Sequence, residues 1–120
     1  MQLSYASGNP SIGAWDNTQG KVNEKATWSN YDGTNNWSQG GAKGSDRGSL
    51  LSSSTISSAI PSGSWITWNI TLGAQEAMRN DGSLDLIIGK MSAGAGVSRE
   101  ALLYSFEESA SDRPEIILVY

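Results

Sequence analysis

The residue types best suited to chemistry in this sequence are the aromatic, amide and carboxylate side chains of residues 31–37, which we call the aromatic loop. Aromatic faces stack on the C–H surfaces of sugars, and planar amide and carboxylate groups pair with sugar hydroxyls. The aromatic loop is therefore a candidate carbohydrate-binding site. A second interpretation is that Trp37 tucks under the rim of a β-sandwich as part of the core. The candidate binding residues are Tyr31, Asp32, Asn35, Asn36 and Trp37.

Catalysis would have to rely on carboxylates, because the chain contains neither cysteine nor histidine. Glycosidases use two carboxylates set about 5 to 10 Å apart. Glu107 and Glu108 are adjacent, so on a strand they face opposite ways and cannot flank one bond. Glu100 and Glu108 can approach each other across a hairpin, but these acids are more simply solvated charges near Arg99 and Arg113. We therefore predict that the chain is not an enzyme.

The amino-acid composition also limits which partners and cofactors the chain can bind. The 120 residues carry 8 basic and 12 acidic side chains, a net charge of -4, so the basic surface that phosphate binding needs is missing. Because the chain has no cysteine and no histidine, disulfides, thiol catalysis and typical zinc sites are excluded. No window approaches the roughly 20 apolar residues of a membrane span. We expect no nucleic acid partner, no membrane insertion and no cofactor, while loops rich in Gly, Asp and Asn leave structural calcium open.

The last residues of the chain predict a strand that closes a core. Pro114 fixes its own φ and pushes Arg113 towards extended geometry, so a strand can begin there and a helix cannot run through. The residues that follow are β-branched, aliphatic or aromatic and alternate between two apolar faces. A strand that is apolar on both faces belongs in a sheet covered on both sides. The two predicted rows are Ile116, Leu118 and Tyr120 on one face, and Ile117 and Val119 on the other.

Short alternating runs separated by turn residues predict further strands. Residues 72–80 are the one helix candidate, with Thr71 as its cap. Residues 38–58 are rich in Ser and Gly and form either a functional loop or a long crossover, of which the crossover is the prediction. Trp28 is interpreted as core. Trp65 lies off the core row of its strand, where it can stack on a sugar or lie in a subunit contact. The predicted inward rows are Leu3 and Tyr5; Ile66, Trp68 and Ile70; Leu84, Leu86 and Ile88; and Leu102, Tyr104 and Phe106.

Two motifs resemble the disaggregatase-related domain, also called the DNRLRE domain. The first is the closing run of residues 108–120, which contains Asp112-Arg113-Pro114. The second is residues 26–41, where an Ala-Thr-Trp step is followed by a polar loop, a second Trp and two glycines. That family resembles the jelly-roll sandwiches of carbohydrate-binding modules, and its members are mostly non-catalytic pieces of larger extracellular or virion-surface proteins.

The resemblance implies an all-β fold, an antiparallel jelly-roll β-sandwich with one short α-helix near residues 72–80. It places a single domain over residues 1–120 and implies structural roles for Asp112, Arg113 and Pro114. Family members usually open with further strands that have no counterpart here. Because an incomplete sheet exposes its edges, we expect a partner subunit, a symmetry mate or a removed amino-terminal piece to complete the sandwich.

Two function classes follow from these expectations. The first is a structural or assembly module, such as a virion decoration or fibre component or a part of a cell-surface filament, with Trp65, Ile117 and Val119 in subunit contacts. The second is a carbohydrate-binding adhesion module that uses the aromatic loop. Both place the protein outside the cell, on a virion or on a cell surface.

Overall fold

The chain is mostly β, with antiparallel sheets and one short helix, as its pattern predicts. The computed structural model describes residues 1–91, 98–105 and 109–119. The predictions that lie outside the described residues are those for Phe106, Glu107, Glu108 and Tyr120. The described elements are β1 Leu3–Ser7, β2 Ser11–Asn17, a 3-10 turn Gly44–Asp46, β3 Arg47–Thr55, α1 Thr71–Arg79, β4 Leu86–Lys90 and β5 Glu100–Leu103.

Backbone contacts divide the chain into two units. Unit 1 comprises Met1–Ile12, Ser54–Thr67 and Lys90–Tyr120, and unit 2 comprises Gly13–Ser53 and Trp68–Gly89. Segments of the two units alternate along the sequence, so neither unit is one contiguous stretch of chain. The single domain expected over residues 1–120 stays a prediction.

In unit 1, strands β1 and β5 pair in antiparallel orientation. Their register shifts within β1, because Leu3 lies opposite Leu103 whereas Tyr5 lies opposite Leu102. A bulge of this kind turns the side chains that follow it to the opposite face of the strand. The prediction that Tyr5 and Leu102 point inward is therefore wrong. Both side chains are half exposed, while Leu3 and Ala6 are buried.

Residues 63–66 pair with the start of β1 through a bridge between Gln2 and Trp65. The predicted alternation holds there, since Ile66 is buried and Trp65 is exposed. Residues 66–70, however, are assigned to no strand. The chain passes from unit 1 into unit 2 within this segment, so the ladder that begins at the bridge does not continue.

The second sheet has the strand order β3-β2-β4. Strand β3 corrects the prediction that residues 38–58 form a crossover, because it is the longest strand described. None of its side chains is buried. A strand held by ladder hydrogen bonds instead of buried apolar side chains leaves no apolar alternation in the sequence.

Strand β4 begins two residues later than predicted and turns a different side chain inward. Ile87 is buried, whereas Leu84, Leu86 and Ile88 are only half buried, so the predicted inward row is wrong. The three consecutive apolar residues 86–88 occupy both faces of the strand. Alternation alone therefore cannot choose the buried face.

Helix α1 begins and ends within one residue of its predicted bounds. The cap predicted for Thr71 is wrong, because Thr71 is the first helical residue and Ile70 occupies the N-cap position without a side-chain hydrogen bond. Oδ1 of Asn69 accepts a hydrogen bond of 3.0 Å from the Thr71 backbone N–H. Gly73 is the buried residue of the helix, and a Cβ there would come within 2.7 Å of Leu51 Cδ1. The helix therefore packs on β3 through Gly73.

Residues 115–119, which we call the terminal segment, form no strand among the described residues. Ile116 and Leu118 were predicted to lie in a core, but each is 67% exposed. The prediction that this segment closes a core within the chain is therefore wrong. An apolar sequence becomes a strand only where a neighbouring strand completes its ladder, and the terminal segment pairs with no strand of the described sheets.

Candidate functional site

The aromatic loop brings its two rings together. The ring centroids of Tyr31 and Trp37 lie 5.4 Å apart, with the ring planes tilted by 57°. Gly20 lies against Tyr31, because a Cβ at that position would be 3.1 Å from Cε2 of the ring. Both aromatic side chains are half buried. The pair therefore offers part of its surface to solvent while the rest is held by the chain.

Trp37 is neither a fully exposed binding residue nor a fully buried core residue. Its indole Nε1 donates a hydrogen bond of 3.0 Å to the backbone oxygen of Thr27. Its backbone N–H donates to the oxygen of Ser29 at 3.1 Å. These two bonds fix the polar edge of the ring, and the half-buried side chain keeps an exposed part that a ligand can contact.

Asp32 and Asn35 mainly build the loop. Oδ1 of Asp32 accepts hydrogen bonds from the backbone N–H groups of Thr34 at 2.9 Å and Asn35 at 2.6 Å, and Oδ2 accepts from Asn35 Nδ2 at 2.6 Å. The backbone and side-chain hydrogen bonds from Asn35, with that from Thr34, hold the pKa of the Asp32 carboxyl below its usual value. Asn36 is exposed, and its side chain makes no hydrogen bond to the described residues. The amide of Asn36 is therefore a polar group of the loop that is open to a ligand.

Asp46 was not singled out as a site residue, yet it anchors the segment between Trp37 and β3. Its side chain is fully buried. Oδ1 accepts hydrogen bonds from Gln19 Nε2 at 2.7 Å and from the Ser38 N–H at 2.8 Å, and Oδ2 accepts from the Gln39 N–H at 3.0 Å. Burial raises the pKa of Asp46, but these hydrogen bonds outweigh it and hold the pKa below its usual value. A lone acid in a Ser- and Gly-rich stretch gave no sequence signal for this role.

Arg47 fixes the same segment from its other end. Its Nε donates a hydrogen bond of 2.8 Å to the backbone oxygen of Ala42. Its guanidinium carbon lies 4.1 Å from the ring centroid of Trp15, which is a cation–π contact. Burial lowers the pKa of Arg47 from its ordinary value. Asp46 thus holds the start of residues 38–46, and Arg47 holds their middle at Ala42.

Trp28 is not core, which corrects the interpretation made from the sequence. It is 67% exposed. Gly40 and Gly41 lie against its ring, since a Cβ on either would come within 2.7 Å of an indole atom. The Nζ of Lys43 lies 5.1 Å from the ring centroid. The ring rests on glycine backbone, which covers apolar surface without enclosing it, so the side chain stays open to solvent.

No family model, curated protein or solved structure matches this chain. The resemblance to the disaggregatase-related domain therefore rests on the two sequence motifs alone. Function has to be argued from exposed side chains and their surroundings.

The residues assigned to subunit contacts are all exposed. Trp65 pairs with Gln2 in an isolated β-bridge and its side chain is exposed. Ile117 and Val119 are 80% and 93% exposed. Asp112 takes part in a local turn: its N–H donates to the Ser109 oxygen at 2.9 Å, and its carboxylate accepts from nearby serine hydroxyls. Arg113 is exposed and Pro114 is half buried. The assembly residues therefore lie where a partner can reach them.

Metal-ligating side chains do not cluster in the part of the chain that the structure describes. Within those same residues, no helix has the length and apolar character to cross a membrane.

Proposed function

We propose that this chain is a non-catalytic structural module that assembles with other protein subunits through its terminal segment. The observation that carries this proposal is the exposure of four consecutive large apolar side chains. Ile116, Ile117, Leu118 and Val119 are between 67% and 93% exposed. Contiguous apolar surface of this kind marks interaction sites in soluble proteins.

The terminal segment suits strand addition to a partner subunit. Pro114 precedes it, and an extended segment can present its backbone N–H and C=O groups to an exposed sheet edge. Burying each large apolar side chain contributes about 1.5 to 3 kcal/mol before the entropy of association is subtracted. We propose that such an added strand completes a jelly-roll β-sandwich of the disaggregatase-related type, in an assembly on a virion or cell surface.

The lowered pKa values of two carboxyl groups argue against either of them as a general acid. A general acid in glycoside hydrolysis needs a raised pKa. Asp32 and Asp46 have lowered pKa values instead, because their oxygens accept several hydrogen bonds each. These two carboxylates serve the fold of residues 19–46.

Charging the terminal segment is expected to abolish self-association. We expect the wild-type chain to sediment as an oligomer and the double variant Ile117→Asp/Val119→Asp to sediment as a 12.7 kDa monomer. Association would bury both apolar side chains. Replacing them therefore removes about 3 to 6 kcal/mol of association free energy, which corresponds to a loss of at least about 100-fold in affinity. Sedimentation velocity over a range of concentrations measures it.

The matched control is Leu72→Asp/Met78→Asp, because these helix side chains are as exposed as the terminal ones. This control is expected to sediment like the wild type. A stable wild-type monomer at all concentrations contradicts the proposal, and so does a control that dissociates as readily as the terminal variant.

The aromatic loop supports a second candidate function, carbohydrate binding in adhesion. The observation that favours it is the tilted, half-buried pair of Tyr31 and Trp37, with the exposed Asn36 preceding Trp37 in the chain. Aromatic surface and an accessible amide are the groups that sugar rings and their hydroxyls require.

Truncating Trp37 is expected to remove glycan binding through this loop. A glycan array probed with the wild type and with Trp37→Ala measures it, and the expected loss is about tenfold or more. Asn36→Ala is a milder second variant, because the side chain of Asn36 makes no described hydrogen bond that the loop needs. Trp65→Ala tests the other exposed tryptophan that the sequence offers for stacking and is expected to bind like the wild type. Absence of any glycan signal for the wild type rules this function out.

A further inference from the structure

Trp28 presents one face of its indole to solvent while the chain covers the other. A Cβ on Gly41 would lie 2.6 Å from both Cη2 and Cζ3 and 3.0 Å from Cζ2 of the ring. Nearly equal distances to three neighbouring atoms place Gly41 over the flat face of the six-membered ring and not at its edge. Since the side chain is 67% exposed, the opposite face is open.

The support beneath this ring is fixed before any ligand arrives. The Gly41 N–H donates a hydrogen bond of 2.8 Å to the Trp28 backbone oxygen. Asp46 holds the start of residues 38–46, and Arg47 holds Ala42, which follows Gly41 in the chain, through the bonds described above. A preorganised platform binds with less loss of entropy than a mobile side chain.

The sequence that contains Trp28 is less acidic than the chain as a whole. Residues 17–47 contain four of the eight basic side chains but only three of the twelve acidic ones, and one of those three is the buried Asp46. The net charge of the whole chain is -4. The ammonium of Lys43 lies over the Trp28 ring, 5.1 Å from its centroid, at the end of an exposed side chain. Because this side chain is exposed, it can turn to the margin of the ring when a ligand stacks there, and it then meets an anionic group of that ligand.

We infer that Trp28 and Lys43 form a binding site for a sugar ring that bears a carboxylate, as in the hexuronic acid residues of acidic polysaccharides. The open indole face stacks on the C–H face of the pyranose, and the Lys43 ammonium pairs with its carboxylate. This site lies outside the group of residues 31–37 that the sequence indicates. The inference rests on the carbohydrate-binding function proposed above and is independent of assembly through the terminal segment.

Titration calorimetry with a galacturonic acid tetramer and its fully methyl-esterified form tests the inference, because esterification removes the negative charge of each carboxylate and adds only a methyl group in its place. We expect the wild type to bind the acid more tightly than the ester, and added salt to reduce that preference. Trp28→Ala is expected to weaken binding of both ligands by about tenfold or more. Lys43→Gln is expected to weaken binding of the acid by about threefold and to leave the ester unchanged.

Two glycine variants separate the platform from general stability. Gly41 and Gly82 have nearly the same φ, +78° and +77°, but a Cβ on Gly82 would meet nothing within 4 Å. Alanine at either position incurs the same backbone strain. Gly41→Ala also pushes the Trp28 ring from its support, so it is expected to weaken binding about as much as Trp28→Ala, while Gly82→Ala binds like the wild type.

Several outcomes overturn the inference. They are absence of binding by the wild type, equal affinity for acid and ester, and tighter binding of an oligothymidylate than of the sugar acid. If Trp37→Ala abolishes sugar binding and Trp28→Ala does not, the function proposed for the aromatic loop stands and the Trp28 site falls. Failure of self-association leaves this result unaffected.

Discussion

Replacing Asp46 by alanine is expected to lower the free energy of unfolding by roughly 2 to 3 kcal/mol. The variant leaves three hydrogen-bond donors, Gln19 Nε2 and the N–H groups of Ser38 and Gln39, without the acceptor that they share. It also empties a fully buried position. Because these bonds hold residues 38–46, the loss extends to the support of Trp28. Denaturant unfolding followed by tryptophan fluorescence measures the change.

Asp32→Ala is the matched control for Asp46→Ala. Asp32 also accepts three hydrogen bonds, but it does so in an exposed loop where water can replace the carboxylate. Its loss is therefore expected to destabilise the protein less than the loss of Asp46. Equal losses in the two variants contradict the anchoring role of Asp46.

The same carboxylate makes stability depend on pH. The folded-state pKa of Asp46 is lowered, so its contribution is fully present above the unfolded-state pKa near 3.9 and is lost as pH falls through the folded-state value. In Asp46→Asn this contribution is absent at every pH. The variant is therefore expected to be less stable than the wild type at pH 7 and to approach it below about pH 4. A difference between the two proteins that stays constant with pH contradicts this assignment.

Local patterns predicted the parts of the fold that depend on neighbouring residues. Helix α1 follows from a run of good helix formers that ends at Asn80-Asp81-Gly82, and its bounds agree within one residue. The outward position of Trp65 and the burial of Ile66 follow from strand alternation. In both places, residues that are close in sequence are sufficient to determine the local structure.

Other parts depend on partners that are distant in sequence. The bulge in β1 turns Tyr5 outward because of its pairing with β5, about 100 residues later. Strand β3 forms without buried side chains, so no apolar alternation indicates it. The terminal segment reads as a core strand because β-branched residues favour strands, but propensity supplies no pairing edge. These three features are fixed by pairing across the chain.

Of the two candidate sites, one is set by neighbouring residues and the other by residues that are distant in sequence. Tyr31 and Trp37 are six positions apart, so one turn built by Asp32 is enough to bring their rings together, and the sequence indicates them. The exposure of Trp28 depends on Gly40 and Gly41, twelve positions or more away, which cover one face of the indole without enclosing it. The sequence of a tryptophan followed by glycines does not show whether the ring is buried in a core or lies exposed on the glycine backbone. The three-dimensional contact decides between them.

Replacing Gly8 by alanine is expected to destabilise unit 1 by roughly 3 kcal/mol, because two costs combine at this position. Its φ is +67°, which favours glycine, and a Cβ would collide with the backbone oxygen of Ser98. That oxygen belongs to the backbone leading into β5 and cannot swing aside as a side chain can. The collision therefore strains the pairing of Ser7 with Glu100 at the end of the β1–β5 ladder.

Gly63→Ala separates the collision from the backbone strain. Gly63 is in the same unit and has a φ of +86°, but a Cβ there would meet nothing within 4 Å. Its alanine variant is expected to lose about 1 kcal/mol, the cost of a left-handed backbone alone. Denaturant unfolding of both variants measures the difference, and faster amide exchange in β1 and β5 of Gly8→Ala locates it. Equal midpoints for the two variants would mean that the chain leading into β5 yields to the new methyl group, and the β1–β5 ladder would then not depend on glycine at this turn.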